Sequence, residues 1–139
     1  MKVFCKQTTS YGFDLNEVNT VFSNNFDYSF GGYGLKNDEE YIVMGVAMYK
    51  NSQCLYYLID TNGKPDWFPY LLFTIIDDTI PQNWYIKVSG STGDTGLYSL
   101  IGFDELCNET DYYDRLLERE EDAMVVYFTR KKEMEGSSA

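Results

Sequence analysis

Residues 41–60 read YIVMGVAMYKNSQCLYYLID and contain two runs of β-forming residues around a short polar link, residues 51–53. Two such runs separated by a short polar link predict a β-hairpin, in which neighbouring strands pair antiparallel. A second turn is expected at residues 60–64, because Asn62 and Gly63 are residue types that tolerate positive φ. The centre of the fold is therefore expected to be an antiparallel sheet.

Three further strands are expected after this hairpin. Pro69 cannot donate a backbone hydrogen bond, so we place the next strand at Tyr70–Ile76. The turn at residues 77–81 leads to a strand at Asn83–Ser89, and residues 90–96 are expected to form a polar loop. Near the C-terminus, Ala123–Arg130 is expected to be a strand, with Met124, Val126 and Phe128 on one face.

Helices are expected both before and after the central strands in the chain. A short helix at residues 15–22 would be capped by Asp14, and the glycine-rich residues 31–34 read as a loop. A first helical turn is expected at residues 103–106, followed by a helix at residues 110–119 that Thr110 caps. On that helix, the pairs Tyr112/Leu116 and Tyr113/Leu117 form one apolar stripe.

These elements predict an α+β fold with an antiparallel sheet of four to six strands and one or two helices packed on one face. Residues 1–130 would form a single domain, and residues 131–139 a disordered tail.

Composition excludes several classes of chemistry. The chain has 139 residues and no histidine, which excludes Ser-His-Asp and Cys-His catalysis and histidine-bearing zinc sites. Its three cysteines, Cys5, Cys54 and Cys107, are widely spaced and read as buried, reduced thiols. We find no signal-peptide pattern and no apolar run approaching 18 residues. We expect a cytoplasmic, non-enzymatic protein without a cofactor, a bound metal or a membrane segment.

Charge is concentrated in one window. Nine of the nineteen residues from Asp104 to Asp122 are acidic and only Arg115 and Arg119 oppose them, which accounts for about −7 of the formal net charge of −11. Such acidity disfavours nucleic acid as a direct partner, because binding to phosphates requires a basic surface. It favours a cationic protein reached by electrostatic steering. The alternative is that the acidity only keeps the protein in solution.

One adjacent carboxylate pair, Asp77-Asp78, follows an apolar strand. Such a pair can hold a cation or act as acid and base on a glycoside, so a small carboxylate-based carbohydrate or metal enzyme is an alternative function. Aspartates also commonly begin turns, and that interpretation carries more weight.

The stretches LLFTIIDDTIPQNWYIKV (71–88) and LYSLIGFDELCNETDYYDRLLEREEDAMVVYF (97–128) resemble small immunity proteins of bacterial contact-dependent growth inhibition and polymorphic toxin systems. The resemblance covers roughly residues 68–130. It implies a cytosolic, non-enzymatic protein that binds a cognate toxin domain, often a nuclease, and blocks its active site. It transfers no catalytic residue, because the family has none.

The leading hypothesis is therefore an immunity protein that presents an acidic surface to a basic, nuclease-like toxin domain. The expected partner-binding residues are seven carboxylates and one aromatic anchor: Asp104, Glu105, Glu109, Asp111, Asp114, Glu118, Glu121 and Tyr112. A phage-type acidic inhibitor of a nucleic-acid enzyme would use the same surface. The oligomeric state stays open, and the expected strand Ala123–Arg130 is one candidate for pairing with a partner strand.

Overall fold

The computed structural model describes residues 1–6, 35–36, 38–49, 55–88 and 97–137 of the chain. These residues form two antiparallel β-sheets and three α-helices, a mixed α+β single-domain fold. The α+β expectation is confirmed. Four sequence predictions lie outside the described residues: the helix at 15–22, the glycine loop at 31–34, the link at 51–53 and the loop at 90–96.

The strands are β1 (Lys2–Cys5), β2 (Glu40–Ile42), β3 (Gly45–Tyr49), β4 (Leu55–Thr61), β5 (Lys64–Pro69), β6 (Phe73–Asp77), β7 (Tyr85–Val88) and β8 (Leu97–Gly102). A 3-10 turn at Tyr70–Leu72 joins β5 to β6. The helices are α1 (Asp104–Asn108), α2 (Tyr112–Leu117) and α3 (Glu121–Ser137).

The strands divide into two sheets. The larger sheet has the order β5-β4-β3-β8-β7 and the smaller has the order β2-β1-β6. The apolar run from residue 41 passes from one sheet to the other at Val43 and Met44, both fully buried. There the Val43 N–H donates to the Met1 carbonyl (3.1 Å) and the Met44 N–H donates to the Leu58 carbonyl (2.8 Å). The run that was predicted to be one strand therefore forms two short strands, one in each sheet.

Side-chain alternation on the larger sheet creates two cores. On one face, Ala47, Tyr56 and Leu58 pack with residues of the three helices. On the other face, Val46, Tyr57 and Ile59 pack against residues of the smaller sheet. The helices thus lie on one face of the larger sheet, as expected, and the smaller sheet covers the opposite face.

Two glycines allow α1 to lie close to the larger sheet. Gly45 of β3 and Gly102 of β8 are directly paired. A Cβ atom built on either glycine would lie 2.7 Å from Cδ2 of Leu106 in α1. Because real Cβ contacts are longer than this, the close approach of Leu106 requires glycine at both positions.

The turn between β4 and β5 is the one that Asn62 and Gly63 predict, with φ values of 52° and 77°. The strand boundaries after it differ from the prediction. Pro69 is the last residue of β5 rather than the start of a new strand, and it pairs with Tyr56. This position tolerates proline because β5 is an edge strand, whose outer side needs no hydrogen-bond donor. The strand expected at Tyr70–Ile76 therefore begins only at Phe73.

The strand expected at Asn83–Ser89 is confirmed for its central residues, Tyr85–Val88. Residues 97–102, for which no element is predicted, form β8 between β3 and β7. Helix α2 is shorter than the expected 110–119, and its N-cap is Asp111 rather than Thr110. Within its apolar stripe, Tyr112 and Leu116 are buried, whereas Leu117 is exposed.

The strand expected at Ala123–Arg130 is wrong, because these residues belong to helix α3. Ala123 and Tyr127 are four residues apart and both buried, which places them on one face of the helix. Lys131, one turn further on, binds Asp60 of β4 through both carboxylate oxygens (2.8 and 2.9 Å). Residues 131–137, expected in a disordered tail, are therefore part of the helix.

Candidate partner-binding surface

The acidic window occupies one side of the helical layer. It includes α1, the link to α2, α2 itself, the link to α3 and the first turn of α3. Local electrostatics explain some of its charge, since Asp104 and Glu105 begin α1 and Glu121 and Asp122 begin α3. Carboxylates are favourable at helix N-termini, where the backbone N–H groups carry partial positive charge.

Glu105 has an internal partner. Its carboxylate accepts hydrogen bonds from Nε (2.9 Å) and Nη2 (2.7 Å) of Arg130, and only 19% of its side chain is exposed. These bonds from Arg130 lower the pKa of Glu105. Glu105 therefore fastens α1 to α3 and presents little charge to a partner.

Tyr112, expected as an aromatic anchor at the surface, lies in the core. Its side chain is fully buried and its hydroxyl donates to the carbonyl of Ala123 (2.8 Å). Burial raises the pKa of Tyr112. The next tyrosine, Tyr113, stacks on Trp67 with ring centroids 5.9 Å apart, and its hydroxyl lies against that of Tyr49. The large area of both rings therefore contributes to packing.

Arg115 gathers carboxylates from three parts of the chain. Its guanidinium lies 3.0 Å from Glu109, 3.3 Å from Asp111 and 2.5 Å from Asp122. Burial alone would lower the pKa of Arg115, but the charges of Asp122, Asp111, Glu109 and Glu120 outweigh it and the pKa is raised. Three carboxylates within ion-pair distance of one guanidinium leave a local formal charge of −2.

Arg119 is also turned inward. It has a positive φ of 61° just after α2, and its guanidinium donates to the carbonyl of Pro65 in β5. Both arginines of the acidic window thus have partners within the fold.

The outer carboxylates form what we call the acidic ridge: Asp114, Glu118, Glu120 and Glu121. All four are exposed, and within the described part of the chain none has a cation within ion-pair distance. Glu120 and Glu121 line an open cleft together with Asp122 and Val125. The ridge therefore combines uncompensated negative charge with an exposed apolar side chain.

The eight expected residues are only partly brought together. Asp114, Glu118 and Glu121 belong to the ridge, and Glu109 and Asp111 lie around Arg115 next to it. Asp104 is exposed at the start of α1, where it accepts a hydrogen bond from Asn108 (2.8 Å). Glu105 and Tyr112 are internal, as described above.

Glu120 and Asp122 join the surface although the sequence analysis did not select them. They were missed because residues 123–130 were assigned to a strand, so that no helix start was expected at this position. The sequence does contain a signal for a helix start here. The acidic run at residues 120–122 directly precedes Ala123 and Tyr127, which are four residues apart.

The Asp77-Asp78 pair begins a turn. An Asp77 carboxylate oxygen accepts the Thr79 backbone N–H (3.0 Å), and this bond lowers the pKa of Asp77. Across the described residues, no group of three or more Asp, Glu, Cys or His side chains is placed to hold a metal ion. The geometry supports the turn interpretation of this pair.

The cysteines within the described ranges are buried. Sγ of Cys107 lies 3.3 Å from the carbonyl oxygen of Tyr85, and burial raises the pKa of this thiol. Cys5 is also fully buried, whereas Cys54 lies outside the described residues. The expectation of buried thiols is confirmed for Cys5 and Cys107.

None of the described helices is long and apolar enough to cross a membrane. No protein-family model, curated protein or solved structure matches the chain. The candidate function therefore has to be argued from the chemistry of the surface.

Proposed function

We propose that the protein is a non-enzymatic inhibitor of the immunity type, which binds a basic toxin domain through the acidic ridge. The observation that carries the proposal is that Arg115 and Arg119 both have partners within the fold, Arg115 among Glu109, Asp111 and Asp122 and Arg119 at the carbonyl of Pro65. Because both cations are engaged within the fold, the negative charge of the ridge is directed outward.

The ridge has the properties that electrostatic association requires. Clustered charge of one sign raises the rate at which an oppositely charged partner docks, by about tenfold or more at low salt. The ion pairs of Arg115 join Glu109, in the link before α2, to Asp122, at the start of α3. Carboxylates at fixed spacing can occupy the cationic groove where a nuclease would otherwise bind the phosphates of its substrate.

Affinity capture from the native host, with mass spectrometry of the bound proteins, is the experiment that identifies the partner. The proposal expects a basic protein that stops growth when it is expressed alone and is harmless when co-expressed with this chain. A captured host nucleic-acid enzyme, inhibited on binding, would support the phage-type alternative instead.

The acidic ridge is tested with matched charge reversals. The double change Glu118→Lys and Glu120→Lys alters the ridge. The control changes Glu39 and Glu40, which are exposed at the start of the smaller sheet, to lysine. Each pair alters the net charge equally. The ridge variant is expected to associate at least about tenfold more slowly at low salt, with a weaker dependence on salt, than the control. Equal association rates for the two variants would refute the role of the ridge.

A further inference from the structure

Exposed apolar side chains are concentrated in a second region, away from the acidic ridge. Of the twelve large hydrophobic residues exposed within the described ranges, six lie between residues 75 and 88, on β6, β7 and their connection. They are Ile75, Ile76, Ile80, Tyr85, Ile86 and Val88. Ile86 and Val88 have the most exposed side chains of the six, at 65% and 64%. We call residues 73–88 the apolar edge.

Both strands of the apolar edge are outermost in their sheets. Strand β6 pairs only with β1, and β7 pairs only with β8, among the strands of the described chain. One side of each backbone is therefore without a ladder partner there. Open strand edges with apolar side chains are sites where another extended segment can pair.

The other two edges of the same sheets are protected. Strand β5, at the opposite edge of the larger sheet, contains Pro65 and Pro69 as well as the charged Lys64 and Asp66. Strand β2 begins with the exposed Glu40. Proline and charge are the usual means of preventing strand addition. Strand β7 (YIKV) contains no proline, and its single charge is that of Lys87.

The two faces of β7 differ. Tyr85 and Lys87 pair with Gly102 and Leu100, which places them on the face that α1 covers. Ile86 and Val88 project from the other face. A strand added next to β7 would place alternate side chains beside Ile86 and Val88 and the remaining side chains on the α1 side. That side carries two opposite charges, the exposed carboxylate of Asp104 at the start of α1 and the ammonium group of Lys87 in β7 itself.

We propose that β7 accepts an extended segment of a basic partner protein by β-strand addition, with apolar side chains of that segment beside Ile86 and Val88. Net charge decides between this occupant and a second copy of the chain: each copy carries −11, so two copies repel each other, whereas a cationic segment is attracted. The partner's identity as a basic protein rests on the proposed function. The edge itself rests on its own exposure and topology.

Two surfaces would then divide the binding between them. The ridge carries exposed charge and acts mainly on the association rate, whereas buried apolar contacts and backbone hydrogen bonds at β7 act mainly on the dissociation rate.

The test uses a synthetic seven-residue peptide of alternating lysine and valine, with blocked ends. Its control has the same charge but carries proline in place of the central valines, which removes backbone donors. Binding is followed by nuclear magnetic resonance at low and moderate salt. The expected result is saturable shifts of the amide signals of residues 85–88 with the first peptide and at least about tenfold weaker binding of the proline peptide.

Matched variants locate the contact. Val88→Lys is expected to weaken binding of the valine peptide by about tenfold or more. Tyr70→Lys adds the same charge at another exposed residue, 40% exposed in the 3-10 turn after β5, and is expected to have a much smaller effect. Both substitutions are at exposed positions, so the fold should tolerate them.

Three results would overturn the edge proposal. One is equal weakening by both lysine variants, which would mean that charge alone binds the peptide. Another is loss of binding in the Glu118→Lys, Glu120→Lys variant with no effect of Val88→Lys, which would leave the ridge as the only site and the proposed function intact. The third is a dimer in sedimentation equilibrium that Val88→Lys dissociates, which would identify the occupant as a second copy. Failure of the proposed function would instead appear in the capture experiment, where no basic toxin would be neutralised.

Discussion

The carboxylate of Glu105 and the guanidinium of Arg130 form a two-bond ion pair, with Nε–Oε1 at 2.9 Å and Nη2–Oε2 at 2.7 Å. This pair joins the short helix α1 to the middle of α3. Both side chains are mostly buried, at 19% and 29% exposure. Two parallel hydrogen bonds between charged groups fix orientation as well as adding stability.

Glu105→Gln should lower the free energy of unfolding by about 1–2 kcal/mol at neutral pH, because it removes a charge-assisted pair that water only partly reaches. The pKa of Glu105 is lowered in the folded state from its ordinary 4.5. The stability that ionised Glu105 adds to the folded state is therefore complete above pH 4.5. It is lost as the pH falls through the lower, folded-state pKa. Urea unfolding of the wild type and of Glu105→Gln at a series of pH values measures this difference in stability.

Glu118→Gln is the control for this prediction, since Glu118 is exposed and unpaired within the described chain. It should change stability by no more than about 0.5 kcal/mol. An equal effect of the two substitutions, or a Glu105→Gln deficit that persists undiminished in acid, would contradict the structural role of the pair.

Lys131→Ala should destabilise the protein by about 2 kcal/mol, because it leaves the largely buried carboxylate of Asp60 without its cation. Lys132→Ala, at the next and exposed residue, should cost about 0.5 kcal/mol or less. Thermal unfolding followed by circular dichroism compares the two. Indistinguishable variants would indicate that the end of α3 does not dock on β4.

The sequence predicted the features that depend on neighbouring residues. Two φ-positive residues, Asn62 and Gly63, are sufficient to specify the turn between β4 and β5, and the alternating runs around residues 41–60 identify strands. The division of those strands between two sheets at Val43 and Met44 depends on pairing with β1, which lies far away in the chain. Local pattern does not contain that information.

The C-terminal helix shows the limit most directly. Met124, Val126 and Phe128 would share one face of a strand, and that period-two spacing led to the wrong prediction. The helix is held instead by contacts across the fold, including the hydrogen bond from the Tyr127 hydroxyl to Asp60 (3.0 Å). For the candidate surface, the acidic window was evident from composition. The internal pairing of Glu105 with Arg130 was not, because these residues lie 25 positions apart.

Gly102→Ala should lower stability by about 1–3 kcal/mol through overpacking. The added Cβ would lie 2.7 Å from Leu106 Cδ2 and 3.1 Å from the Met44 carbonyl oxygen, so that α1 would have to shift. Gly136→Ala is the matched control, because nothing lies within 4 Å of its added Cβ. In a helix this change should stabilise by up to about 1 kcal/mol. Denaturant unfolding should therefore give opposite signs, and a stabilising Gly102→Ala would refute the close packing of α1.

Tyr113→Phe should make the protein less sensitive to alkaline pH. Burial raises the pKa of Tyr113 to about 12, although the hydrogen bond with Tyr49 acts in the opposite direction. The folded protein therefore keeps a proton that the unfolded chain loses near its ordinary pKa of 10.0. The stability that this retained proton provides is complete below pH 10. The free energy of unfolding then falls by roughly 2–3 kcal/mol as the pH rises towards 12.

Urea unfolding of wild type and Tyr113→Phe between neutral pH and about pH 11 measures the difference. At neutral pH the variant should be less stable by about 1 kcal/mol, because it loses the contact between the hydroxyls of Tyr113 and Tyr49. That deficit should shrink as the pH rises, since only the wild type has this proton to lose. Tyr70→Phe, at a side chain that is 40% exposed, should decline in parallel with wild type. If Tyr113→Phe also declines in parallel with wild type, the hydroxyl of Tyr113 is not buried as described.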